Sequence, residues 1–304
     1  PLNPAKAKRH FDCTLDESST AYQDLGTLVH LFLLEPQKFE KSIGVLEYEL
    51  PNSAAKKKFC SEFLRLKENL EDDIALAGAY RESYTTSEDI AKVLKKAQDL
   101  KAEHEDYLYF LEKSKEMTVI TPDVYKKLVS IKNSVASHKL ANELLMRKQH
   151  ILDDCIIAEE FDIRFNIEDI DCKSLLDKVI INESAKKAEI IDLKTTFTPE
   201  KFISEVIDDY KYVQQLAFYK LALSEYLKKT YPDTEFEIDT YIVAVSTGDS
   251  CVTQVIKIGK ATLEEKLTEV HNLILTAKYH IESGNWEYSK EYYTGEGYEL
   301  FGKD

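Results

Sequence analysis

The stretch AEIIDLKT at 188–195 sets Asp192 and Lys194 two residues apart in a run that is otherwise largely aliphatic. Along a β-strand, side chains at i and i+2 leave the same face, so a carboxylate and an ammonium project together here. A second acid, Asp177, sits upstream in CKSLLDKVII, and the stretch between the two runs, 182–187, reads as a turn. Such a hairpin brings Asp177 beside Asp192. Two carboxylates and a lysine on one sheet edge are the groups that metal-assisted hydrolysis of a phosphodiester needs: oxygen donors for a hard cation, and an ammonium beside the attacking water. Taken singly, each charge is an ordinary solvated strand residue. Together they lie in nearly continuous aliphatic runs, where a carboxylate must be paired or bind metal.

The elements that must position these groups change character near residue 150. Before it the pattern is helical: 20–34, 54–70, 87–111 and 122–146 carry helix formers with apolar spacing near the helical period. Glu35-Pro36 stops the first of these, Ser87 reads as a cap of the third, and Thr121-Pro122 opens the fourth. After residue 150 the period becomes two, and 151–167, 172–181 and 189–195 read as successive strands. Thr198-Pro199-Glu200 then opens a helix, a longer one runs over 209–229, and 235–246 and 251–258 form a hairpin about Gly248. A last helix covers 262–283. The expected arrangement is a helical region over 1–150 and a strand-rich core over 151–304, built as one compact unit of the α/β (α+β) class.

Bulk composition narrows the setting. With 43% hydrophobic and 31% charged residues among 304, the chain reads as soluble and globular. No apolar run of membrane-spanning length occurs, and the first residues lack the apolar core of a signal peptide, which predicts a cytoplasmic protein. A start at Pro1 suggests a fragment of something longer. Cys13, Cys60, Cys155, Cys172 and Cys251 are odd in number and form no C-x-x-C pair, so reduced thiols are expected rather than disulfides or a zinc site. The net charge of −15 opposes a nucleic-acid partner, because phosphate backbones attract clustered Lys and Arg. Carboxylates that hold cations do, however, inflate the formal count.

Asp177, a hairpin, and then Asp192-x-Lys194 resemble the PD-(D/E)xK nuclease core. Two further features resemble its exonuclease branches. In YKYVQQLAFYKLAL, Gln215 and Tyr219 form Q-x-x-x-Y, one turn apart on one helical face, as in RecB-like exonucleases. DLGTLVHLFLLEPQKF resembles a motif of RecE-type exodeoxyribonucleases whose histidine joins the metal site, here His30. In CIIAEEFDIRF, Glu160 fits the place of a glutamate that these proteins carry on the strand before the first aspartate; Glu159 next to it points the other way, so a one-residue slip exchanges them. Leu175-Leu176 stand where the family often has Arg or Pro before that aspartate, and Lys173 is the nearby cation that could meet a phosphate instead.

The resemblance implies a mixed central sheet flanked by helices. It implies Mg²⁺, with Mn²⁺ as substitute, on Asp177, Asp192, His30, Glu160 and the main-chain oxygen of Leu193, with Lys194 beside the attacking water. Gln215, Tyr219 and Lys173 would face DNA. By the same kinship the substrate is the end of linear double-stranded DNA, cut from the 5′ side to leave 3′ single strands for phage or prophage recombination. A ring-shaped homo-oligomer and a single-strand annealing protein would be the partners. A structure-specific or restriction-type endonuclease of the same fold, and a non-catalytic DNA-end or protein interaction module, are the competing expectations.

Overall fold

The computed structural model describes residues 4–11, 21–148, 154–203, 207 and 210–295. Cys13, Thr20, the first three residues of the strand expected over 151–167, and Asp209 lie outside them. Two compact units are present, Glu35–Ser130 and Pro1–Leu34 with Ile131–Asp304. The change of texture near residue 150 marks where the strands of the larger, five-stranded sheet begin, while the units divide the chain at other points.

In the Glu35–Ser130 unit, Ala54–Lys67, Asp72–Ser83, Ile90–Glu103 and Glu105–Lys113 are helices packed on Phe59, Phe63, Leu76, Ala97 and Leu108. The single helix expected over 87–111 is two, because His104 leaves helical geometry at φ −123 and ψ 31. Its cap is Asp89 rather than Ser87, since the Asp89 side chain accepts from the N–H of Lys92. The helix Asp72–Ser83 has no counterpart in the sequence reading. Its ALAGA run carries no apolar stripe, and a Cβ on Gly78 would lie 3.0 Å from a Leu66 methyl, so the absent side chain lets two helices approach. Strands β1 (Ile43–Val45) and β2 (Thr118–Ile120) pair in parallel.

In the other unit, β3 (Cys155–Ile167), β4 (Ile170–Asn182), β5 (Lys187–Thr196), β6 (Glu237–Ser246) and β7 (Thr253–Lys257) form one sheet in that order. All neighbours are antiparallel except β5 and β6. That parallel pair needs a crossover, which holds the helices Pro199–Lys201 and Tyr212–Thr230. Glu168 and Asp169, both left-handed at φ 51 and 62, make the two-residue turn between β3 and β4, and this twist suits a tight hairpin. After β4, the Asn182 side chain accepts from the Ala185 N–H at 2.8 Å and so fixes the expected turn.

Each face of the sheet has its cover. On one face, Val179, Ile181, Ile190, Ile242 and Ala244 pack against Val213, Leu216 and Leu223 of Tyr212–Thr230 and against Leu263 and Val270 of the helix Lys260–Ser283. That last helix stops at Gly284, left-handed at φ 71. On the opposite face Ser134 shares a hydrogen bond with Thr253 of β7, and after Ser137 the chain continues as Lys139–Ala141 and a π-helical turn, Asn142–Met146, in place of the unbroken helix expected over 122–146. The helix Ala21–Leu34 ends at Glu35-Pro36 as expected. No helix among the described residues is long and apolar enough to cross a membrane.

Candidate active site

The β3–β4 ladder runs without a break except at one position. Glu159 pairs with Lys178 and Phe161 with Leu176, but Glu160 and Asp177 between them form no ladder pair. Glu160 is left-handed there, at φ 49. A non-glycine residue in that region is strained, and such strain clusters at functional sites. The effect on the strands is an exchange of faces. Phe161 meets the Tyr226 ring edge-on at 5.0 Å on the side of Tyr212–Thr230, while Glu159, two residues earlier, bonds Lys178 on the side of the π-helical turn. Ordinary pleating would put both on one face.

Next door, β4 and β5 part company. Their ladder ends at Lys178–Ile191, so Asp177 lies opposite Asp192 without pairing to it. The Asp177 carboxylate takes over as acceptor, and the Leu193 N–H donates to its Oδ2 at 2.7 Å. Strand β5 stays bound to β6 throughout, with Asp192 beside Ile242 and Lys194 beside Ala244. Asp192 and Lys194 share a face as their spacing predicts. Lys194 Nζ lies 2.7 Å from Asp192 Oδ1 and 2.6 Å from Oδ2, and only Oδ1 is in line for a hydrogen bond.

His30 reaches this point from the helix Ala21–Leu34, its Nδ1 3.7 Å from Asp177 Oδ2. Ligand atoms of His30, Glu160 and Asp177 all lie within 4.8 Å of one another. Glu159 belongs to a different group: it accepts from Lys178 at 3.2 Å and from Lys148 at 2.8 Å. The structure thus separates the two glutamates that the sequence left open.

Burial sets the electrostatics. Asp192 is fully buried, and desolvation pushes its carboxyl up to about 6, with Lys194 opposing and Asp177 adding to the rise. Asp177 is raised for the same first reason, while Lys194 and the Leu193 N–H pull it back. Burial, then the charge of Lys194, holds His30 below the usual histidine range, which favours the neutral imidazole. Three carboxyls and one ammonium in so small a volume leave negative charge that a cation would neutralise. The oxygen-rich donor set with one imidazole, and the buried Asp192 Oδ2 without an aligned donor, fit a hard divalent cation of the Mg²⁺ or Mn²⁺ type.

On the helix above, Gln215 Nε2 donates to the Tyr219 hydroxyl at 2.8 Å. The Tyr219 phenol is raised by burial and by Asp192 and Asp177, so it stays a neutral donor. Lys173 is not brought to this cluster. Four residues along β4 from Asp177, roughly 13 Å, it lies 3.3 Å from Asp162 and lines a separate cavity of about 910 Å³ with Arg164 and Tyr226. Distance along the strand keeps it away, and because of the exchange of faces at Asp177, same-parity residues on either side of it also no longer share a face.

Tyr212 is one of two residues near the cluster that the sequence reading missed. Its ring centroid lies 5.1 Å from Lys194 Nζ, and Asp192 contributes, after burial, to the rise of its phenol. The signal was present, since residues 212, 215 and 219 recur at helical spacing. Lys178, fully buried beside Asp177, was missed as well, because a lysine in a strand reads as solvated.

An acid on each of two antiparallel strands, a lysine two residues after the second, and a mixed sheet covered by helices define a PD-(D/E)xK nuclease fold. Residues 3–288 match the model of the family described as "PDDEXK-like domain of unknown function (DUF3799)", and the chain belongs to that family. Among solved structures, the chain is similar to the crystal structure of a "Putative exonuclease" from Eubacterium rectale, with 13% identity, a TM-score of 0.39 and 91% of each chain covered. No curated protein sequence matches.

Proposed function

We propose that this protein is a Mg²⁺-dependent exodeoxyribonuclease of the RecE type, acting on ends of linear double-stranded DNA. The observation that carries this reading is the convergence of His30, Glu160 and Asp177 within 4.8 Å beside the Asp192–Lys194 ion pair. Asp177, Asp192, His30 and Glu160 would hold the cation, with the main chain of Leu193 alongside. A bound divalent cation lowers the pKa of water and neutralises charge on the scissile phosphate.

The chain's own groups do the rest. Asp192 holds the Lys194 ammonium at a fixed point, and the Tyr212 ring flanks it, so Lys194 can orient the attacking water or take part in moving its proton. Asp177 ties β4 to β5 through the Leu193 N–H and so fixes the distance between the two acids. Gln215 and Tyr219, bonded to each other, present polar groups to the strand being cut. Attack from the 5′ side, release of 3′ single strands for phage or prophage recombination, a ring-shaped homo-oligomer, a single-strand annealing partner and a cytoplasmic location belong to this reading through its RecE-type character.

Incubation with linear and covalently closed circular duplex in Mg²⁺ tests it. Digestion of the linear form alone is the expected result, with a 5′ label released before a 3′ label. Cleavage of both forms makes the protein an endonuclease of the same fold, and cleavage of neither leaves a DNA-end or protein interaction module.

A further inference from the structure

Lys178 is 0% exposed, and its ammonium is fully engaged. Nζ donates to the main-chain oxygens of Leu145 and Arg147 at 2.7 Å each and to Glu159 Oε1 at 3.2 Å. An ammonium has three N–H donors, so none is spare. Two of the acceptors close the end of the π-helical turn Asn142–Met146. The third, Glu159, is also gripped by Lys148.

Stability does not explain this arrangement. Burying an ammonium is costly, and an apolar side chain of similar volume often serves a fold as well or better. What the ammonium adds is position. Glu159–Lys178 is the last ladder pair before Glu160 and Asp177, where pairing lapses and Glu160 turns left-handed at φ 49. On the other side, Lys178 pairs with Ile191, the residue before Asp192. A strained backbone persists only where its surroundings over-determine it. The pair fixes both strands one residue from the gap, and its orientation is set by main-chain oxygens on a third element.

We infer that Lys178 and Glu159 are positioning residues for the divalent-cation site, holding Glu160 and Asp177 at the spacing a shared cation requires while touching neither cation nor substrate. The inference rests on the metal-dependent reading of the same site. It predicts that loss of the pair weakens cation binding by the 10–100-fold typical of groups that orient metal ligands.

The test measures binding of Mn²⁺ alone to the full chain, by calorimetry and by the electron paramagnetic resonance signal of free Mn²⁺, without DNA. Glu159→Leu, which removes the acceptor from a side chain that is 23% exposed, should fold and bind Mn²⁺ 10–100-fold more weakly. Glu159→Gln keeps an oxygen for Lys178 and should stay within about threefold of the parent, well inside the loss that a missing orienting group produces. Lys178→Met should resemble Glu159→Leu, and if it fails to fold, Glu159→Leu decides. Val270→Ala, a core truncation on the helix Lys260–Ser283, should lower the melting temperature without changing Mn²⁺ affinity. Parent-like affinity in Glu159→Leu overturns the inference alone. So does a Val270→Ala variant that loses affinity equally, because the effect would then follow general stability. A parent chain that binds no Mn²⁺ overturns the metal-dependent reading and this inference with it.

Discussion

Glu160 and Asp177 face each other across β3 and β4 at the position where the ladder of the described residues carries no pair, and Glu160 there holds a left-handed backbone. The two acids come together because the sheet gives up a ladder pair and accepts strain at that point. The strained residue and a candidate cation ligand are the same residue.

This coincidence predicts an unusual order of stabilities. Within a strand, glycine is ordinarily worse than alanine. At residue 160, Glu160→Gly should be more stable than Glu160→Ala by about 1–2 kcal/mol, the cost of a left-handed conformation for a residue with a Cβ. Urea midpoints of the two cation-free variants measure this. Equal midpoints would mean that the backbone at residue 160 is not left-handed in solution. Both variants should lose nuclease activity.

Lys194→Ala should remove cleavage by a factor of about 10²–10⁴, the range for a group that handles the proton of an attacking water. Mn²⁺ binding and DNA-end binding should persist, since the cluster of His30, Glu160 and Asp177 does not include Lys194. Unchanged turnover in this variant would remove Lys194 from the chemistry.

Tyr212 offers a finer comparison. Tyr212→Phe keeps the ring 5.1 Å from Lys194 and should be near the parent in kcat, while Tyr212→Leu should lose roughly fivefold, about the worth of a partly buried cation–π contact. If the Phe and Leu variants are indistinguishable in single-turnover rates, the ring has no role in holding the lysine.

The raised carboxyls fix the sign of a pH dependence. A carboxyl whose folded pKa exceeds its unfolded value stabilises the fold fully below the unfolded pKa and loses that contribution as pH rises through the folded one. Asp192 moves from 3.8 to about 6, and Asp177 shifts in the same direction. Their contribution to cation-free stability should therefore decline between about pH 4 and 6. Cation binding needs the ionised forms, so the rise in melting temperature on adding Mn²⁺ should be small at pH 5 and large at pH 7.5. A Mn²⁺ effect that does not grow over that interval would place the site elsewhere.

Much of the site was legible as local pattern. The period of two put Asp192 and Lys194 on one face, and the helical period put Gln215 and Tyr219 one turn apart, each a consequence of backbone geometry within a few residues. The turn at Asn182 followed from side-chain chemistry equally local. The choice between Glu159 and Glu160 was not legible. It depends on the sign of one φ angle, and glutamate, unlike glycine or asparagine, gives no warning of a left-handed backbone. That Lys173 lies beside Asp162 and apart from the cluster was not legible either, since strand parity fails across the Glu160–Asp177 gap.

The sequence alone determined which side chains share a face within one strand or one helix, as Asp192 does with Lys194 and Gln215 with Tyr219, because side-chain direction there follows from periodicity. Only the tertiary structure decided which of them meet. His30 comes from a helix more than a hundred residues before Asp177, Lys178 is satisfied by main-chain oxygens of a third element, and Tyr212 reaches Lys194 through the crossover between β5 and β6. Those encounters are set by long-range packing and by where a ladder breaks, and no local spacing records either.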